Sequence, residues 1–154
     1  MQVSTKCSVA LHCLVFIAVY GETAKVTSEL LAKSAGCNAV TVRNLLGQLQ
    51  KAGFISVARG TGGAKLERAP EQITLWDVYA ALEADCMEDL IGIHRNPSCE
   101  CPVGCRICPV LKGAYAKVSD AMRKAMEQIT LAGLLEDFRN TPGDAPPRQA
   151  GDSR

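Results

Sequence analysis

Aromatic side chains are scarce in this chain: one Trp, three Tyr and three Phe among 154 residues. A core must therefore be built from Leu, Val, Ile and Ala, which suits packed helices better than an aromatic-rich sheet. Histidine is scarcer still, with two, and no Ser/His/Asp set stands in a recognisable catalytic context. A glycine-rich phosphate loop is also missing, so nothing here points to a nucleotide-using enzyme. Net charge is nearly absent, at +1. The apolar stretch at residues 9–19 is short for a membrane span and is interrupted by His12. Tyr20-Gly21-Glu22 behind it is a poor signal-peptide cleavage site, so the stretch reads as a buried helix and the chain as cytoplasmic, with no membrane partner.

The charge that is present is unevenly placed. Up to residue 70 there are eight bases and three acids, a balance of +5; the remainder has nine bases and thirteen acids, a balance of −4. A basic first half suits a surface that meets phosphates, and an acidic remainder suits solvent or a partner.

Hydrophobic periodicity predicts mostly helix. Residues 4–20 form one helix, and a second starts at Thr27 as N-cap with Glu29 in its first turn, ending at Ala35-Gly36. Asn38 caps a third that runs to about Ala52 and stops at Gly53. On it Val42, Leu45, Leu46 and Leu49 share one buried face. Thr41, Arg43, Asn44, Gln48 and Lys51 occupy the others. Two short helices joined by a glycine-containing turn are a helix-turn-helix candidate. Residues 54–59 then alternate like a strand, Gly60-Thr61-Gly62-Gly63 is a turn, and Ala64-Lys65-Leu66 begins a return strand. A hairpin in that place is the wing of a winged helix, with Arg59 and Lys65 flanking its tip.

Thr74 caps a fourth helix carrying Trp76, Val78, Tyr79 and Leu82. A loop rich in proline and cysteine follows. Beyond Pro109, Leu111, Tyr115, Val118, Met122, Ala125 and Ile129 are spaced four, three, four, three and four apart, the seam of a coiled-coil-like pairing between two copies. A short helix spans residues 130–138, and a disordered tail follows. The fold class is thus mainly α with a small β-hairpin. It divides into a winged helix-turn-helix DNA-binding domain (1–83), a cysteine-rich sensor loop (84–109), a dimerisation helix with a closing helix (110–138) and a tail (139–154).

Four of the eight cysteines crowd together as Cys99, Cys101, Cys105 and Cys108. In a reducing compartment such a cluster means metal or redox chemistry rather than a disulfide framework. Thiolates suit iron–sulphur and zinc alike, and thiol–disulfide sensing without any metal is the alternative. Cys105-Arg106-Ile107-Cys108 has the spacing of an enzymatic dithiol. It lacks the strand–helix setting such enzymes use, so an enzyme is not expected. Cys7, Cys13, Cys37 and Cys86 read as small core hydrophobes.

The Lys51-Ala52-Gly53-Phe54-Ile55 stretch, the Arg59-Gly60-Thr61-Gly62-Gly63 wing, and the Ile73-Thr74-Leu75-Trp76-Asp77-Val78 and Ile129-Thr130-Leu131-Ala132-Gly133-Leu134 segments resemble the Rrf2 family of bacterial regulators, of the IscR, NsrR and CymR type. The resemblance covers roughly residues 1–138. It implies a homodimeric transcriptional regulator, commonly a repressor, bound to a double-stranded DNA operator through paired recognition helices. Thr41, Arg43, Asn44 and Gln48 would then be candidates for base edges, with Arg59 and Lys65 on the wing. The resemblance also implies a two-iron or four-iron cluster held by three cysteines of the loop and a fourth ligand from elsewhere. Cys99 and Cys105 keep the gap seen in cluster-binding relatives, Cys101 or Cys108 would supply the third thiolate, and His12 or Cys7 is the candidate fourth ligand. Two positions depart from the pattern. Ser8 stands where some relatives place a carboxylate ligand, and Ala64 where many carry an aromatic.

Overall fold

The computed structural model describes residues 5–58, 63–83 and 91–143. Three helices open the chain: α1 (Lys6–Tyr20), α2 (Ser28–Ala35) and α3 (Ala39–Lys51). The hairpin β1 (Ile55–Ala58) and β2 (Gly63–Leu66) follows, then α4 (Leu75–Leu82), α5 (Gly104–Gln128) and α6 (Leu131–Asn140). The fold class is the expected one.

Most helix starts have a side chain that explains them. Thr27 accepts from the Leu30 N–H, and Asn38 Oδ1 from the Val40 N–H at 2.7 Å. Thr74 and Asp77 form a reciprocal capping box, each side chain bonding the other's backbone N–H. These polar side chains satisfy donors that the first helical turn leaves without partners.

The apolar faces then meet in one core. Ala10, Cys13, Leu14 and Ile17 of α1 pack with Leu31 of α2, Val42, Leu46 and Leu49 of α3, and Ile55 and Ala64 of the hairpin. Among the described residues no polar or charged side chain is buried. β1 and β2 run antiparallel with Ile55 opposite Leu66 and Ala58 opposite Gly63. β2 is also tied to the chain before α2, where the Ala64 N–H donates to the Val26 carbonyl at 2.9 Å. Ala64, one of the departures noted above, is 1% exposed and belongs to the core.

A long-range pairing closes the molecule. The tripeptide Ile-Thr-Leu occurs twice, at 73–75 and 129–131. Thr74 and Thr130 face each other in an antiparallel bridge. The Leu75 N–H donates to Ile129 O and the Leu131 N–H to Ile73 O, both at 2.8 Å. Two helix starts thus brace one another, and Leu131 and Leu135 of α6 enter the same core. Thr74→Ala is expected to cost about 0.5–2 kcal/mol, the range for losing an N-cap. Urea unfolding followed by circular dichroism checks it; an unchanged midpoint would refute the account of this cap.

Three expectations need correction. The sequence pattern extends the loop to Pro109, but α5 starts at Gly104, so Cys105 and Cys108 lie on its first turns. Pro109 lacks the N–H that would bond the Cys105 carbonyl, yet a proline removes only one such bond. The turn before it is already closed by Cys105 N–H to Cys101 O and Ile107 N–H to Val103 O. Ile129 leaves the expected seam, because it is extended and engaged in the Thr74–Thr130 bridge. Finally, α6 continues through Arg139 and Asn140, its end held by the Thr141 backbone N–H and hydroxyl on the Asp137 carbonyl. The rest of the expected tail, from residue 144, lies outside the described residues.

Candidate nucleic-acid interface and cysteine segment

The buried residues of α3 are Val42, Leu45, Leu46 and Leu49, and burying that stripe turns the opposite face outward. Thr41, Arg43, Asn44 and Gln48 are all exposed, as expected for groups that meet a groove. They are not equally available. Arg43 Nε donates to Ser28 Oγ at 3.3 Å, and Arg43 Nη2 to Glu29 Oε1 at 3.1 Å, both on α2. Glu29's own backbone N–H, the Arg43 guanidinium and the Ser28 hydroxyl hold its carboxyl below the ordinary carboxylate range. On the wing, Lys65 Nζ meets Glu22 Oε2 at 3.3 Å. Two of the three acids in the basic half therefore hold bases of the expected interface. Arg59 and the wing tip lie outside the described residues.

Sequence patterning missed two features of this surface. Val40, on the first turn of α3, is 55% exposed although it is apolar. Arg68, counted with the basic half, stacks its guanidinium over Phe54 at 5.1 Å and reaches the Ala52 carbonyl. Only long-range contacts separate such structural cations from the rest.

The cysteines fall into two chemical groups. Cys99 and Cys101 are exposed in the turn before α5, and Cys105 is exposed on its first turn. The backbone N–H groups of Gly104 and Val103 stabilise the Cys101 thiolate and lower its pKa from the ordinary thiol value. Gly104 carries no Cβ, and the Ser98 carbonyl occupies that space, which lets the turn fold back onto the helix start. Cys105 Sγ faces Pro102 O at 3.3 Å and Cys108 Sγ faces His94 O at 4.0 Å. Cys13 is the opposite case: burial, then the neighbouring Cys37, pushes its thiol up to about 11. Cys7 is raised too, by burial and by Glu83. Cys86 lies outside the described residues.

The residues expected to hold a metal do not converge. Among the described residues no three Cys, His, Asp or Glu side chains group as a metal site. His12 shares a 2.8 Å hydrogen bond with Ser34 Oγ on α2. The four thiols are the donor type that an iron–sulphur cluster or a zinc ion takes, but as arranged no three of them gather as ligands of a single metal ion, as a zinc site requires.

The two groups should react very differently. With iodoacetamide at about pH 7, below the ordinary thiol pKa of about 8.5, Cys101 is expected to alkylate first and Cys13 last. Peptide mass spectrometry reads the order, and equal rates at the two would contradict the environments described. Since Cys13's pKa is raised in the folded state, its contribution to stability is complete below the unfolded thiol value. It declines as pH rises from 9.0 towards about 11.

Comparison with known proteins agrees with this geometry. Residues 3–137 match the Rrf2 family, described as iron-dependent transcriptional regulators. The Bacillus subtilis (strain 168) protein YwnA, named for an HTH-type transcriptional regulator, is 32% identical over 139 residues, covering 90% of this chain and 98% of its own. The crystal structure of oxidised Staphylococcus aureus CymR shares the fold at a TM-score of 0.67, with 24% identity over 88% of this chain and 97% of that one. The structure of T. potens IscR does so at 0.69, with 24% identity over 94% of each chain. Among the described residues no helix is long and apolar enough to cross a membrane. With its winged helix-turn-helix and a family match spanning most of its length, the chain belongs to the Rrf2 family of transcriptional regulators.

Proposed function

We propose that the chain is a cytoplasmic, homodimeric repressor that places α3 of each protomer in the major groove of an operator and adjusts its grip through the cysteine segment. The observation that carries this reading is α5. It is 25 residues long, and none of them is buried by its own chain. Leu111, Tyr115 and Met122 are half-buried, while Val118 and Ala125 are exposed. A second copy packed along that face would bury it and set two α3 helices at a fixed separation, as dyadic operators require.

The segment 99–108 feeds directly into α5, and this suggests the control. Oxidation of two thiols there by a peroxide forms one S–S bond, while the peroxide takes up two electrons and two protons and leaves as water. Cys101 is the preferred first thiolate. Drawing the segment together moves the first turns of α5, since Cys105 and Cys108 belong to them. A coupling of about 1–3 kcal/mol between segment and operator site changes affinity by about 5–150-fold. The soft donor set of four cysteines supports a second reading, an iron–sulphur group on a rearranged segment. No enzymatic step is part of either reading.

Fluorescence anisotropy on duplex DNA tests the binding. Arg59→Ala is expected to weaken binding to all sequences alike and to reduce the salt slope by about one. Equal operator affinity of reduced and peroxide-treated protein would remove the control by cysteines. Absorbance, iron and acid-labile sulphide of protein purified without oxygen separate the two readings. Colourless protein retains thiol sensing, and brown protein with stoichiometric iron replaces it with a cluster.

A further inference from the structure

We infer that α3 reads A·T base pairs, with Val40 and Thr41 against thymine methyls and Asn44 and Gln48 on adenine edges, while Arg43 is a positioning residue that reads no base. The inference rests on α3 being the helix that enters the groove, as proposed above.

The first support is where the side chains stand around the helix. At about 100° per residue, Val40, Asn44, Gly47, Gln48 and Lys51 fall on one outward stripe, with Thr41 on its flank. Arg43 lies on the other flank, roughly 85° from the middle of that stripe and about as far out as Thr41, on the side that meets α2. Its two hydrogen bonds to Ser28 and Glu29 hold it there.

The second support is donor chemistry. Guanine shows two acceptors in the major groove, so it calls for a paired donor such as an arginine fork. Arg43 donates from Nε to Ser28 and from Nη2 to Glu29, which occupies one of its two forks and draws the guanidinium to the α2 side. Turning it towards a base would leave the Glu29 carboxylate, in the first turn of α2, uncompensated beside DNA phosphates. The remaining cation of the stripe, Lys51, is the last residue of α3, whereas recognition helices contact bases mainly through their N-terminal part. What that part presents is amide and methyl. Asn and Gln each pair one donor and one acceptor, the match for adenine. Val40 is more than half exposed at the leading end of the helix, and packing within the chain gives no reason for an apolar group there. A thymine methyl does.

Full-length reduced protein, used to select duplexes from a randomised library, provides the test. The selected half-sites are expected to carry A·T pairs at the positions that α3 covers. Anisotropy on a selected duplex then compares thymine with uracil, which lacks the methyl. One critical replacement is expected to weaken the wild type about fourfold, the value of one buried methyl-sized group. Val40→Ala should lose most of that sensitivity, which a double-mutant cycle isolates. Arg43→Ala should weaken every duplex alike with its order of preference unchanged. Glu29→Gln, which frees the guanidinium, should admit G·C at the adjoining pair. Selection of G·C at the covered positions, or relaxed preference at one pair in Arg43→Ala, overturns the inference and leaves DNA binding standing. Absence of binding to any duplex overturns the DNA-binding reading and this inference with it.

Discussion

Gly63→Ala is expected to lose about 2–5 kcal/mol of stability, from a left-handed backbone cost of about 1–2 and overpacking of about 1–3. Gly63 opens β2 with φ at +73°, and an added Cβ would sit 2.8 Å from Val26 N and 2.9 Å from Val26 O. Those are backbone atoms, so no side chain can swing aside. The next residue, Ala64, donates its N–H to the same Val26 carbonyl, so relieving the clash costs that bond and shifts a core residue. Because the hairpin is the wing, duplex affinity should fall along with the unfolding midpoint. Gly92→Ala is the control: a Cβ added there has no neighbour within 4 Å, and such surface changes usually stay within about 0.5 kcal/mol. Equal urea midpoints for the two variants would refute the close-approach argument.

Leu14→Ala is expected to cost about 2–5 kcal/mol, the range for deleting a buried leucine side chain. Leu14 is fully buried on α1, the helix that packs against α2, α3, α4, β2 and α6. A cavity there touches most of the fold. For a chain of this size each kcal/mol moves the melting temperature by about 2–4 °C, so calorimetry should show a fall of roughly 4–20 °C. Leu14→Met, which conserves volume, should cost less than about 1.5 kcal/mol. A loss under about 1 kcal/mol in the alanine variant would contradict a central place for Leu14 in the core.

Leu14 belongs to a part of the fold that is legible in one dimension. The stretch at residues 9–19 reads as a buried helix because its apolar residues are nearly continuous. The caps at Thr27, Asn38 and Thr74 are legible because a cap bonds residues two or three positions away. The Val42–Leu45–Leu46–Leu49 face follows from helical spacing for the same local reason. The start of α5 is not legible, because Pro109 is a strong local stop signal. The helix nevertheless forms around it, through bonds made by the preceding turn.

The site divides along the same line. Thr41, Asn44 and Gln48 can be placed on an outward face from periodicity, but the engagement of Arg43 by Ser28 and Glu29 spans fifteen and fourteen residues. Four cysteines within ten positions announce thiol chemistry. Their spacing does not say that Cys101 faces two backbone N–H groups, or that the sulphurs fail to gather around one centre. By itself the sequence determined helix order, caps, the wing and the outward face of α3, since each depends on neighbours within a few residues. Tertiary structure decided the pairing of the two Ile-Thr-Leu segments, the restraint on Arg43 and the environment of each thiol. Those depend on which distant groups folding brings within hydrogen-bonding distance, and one-dimensional spacing does not encode that.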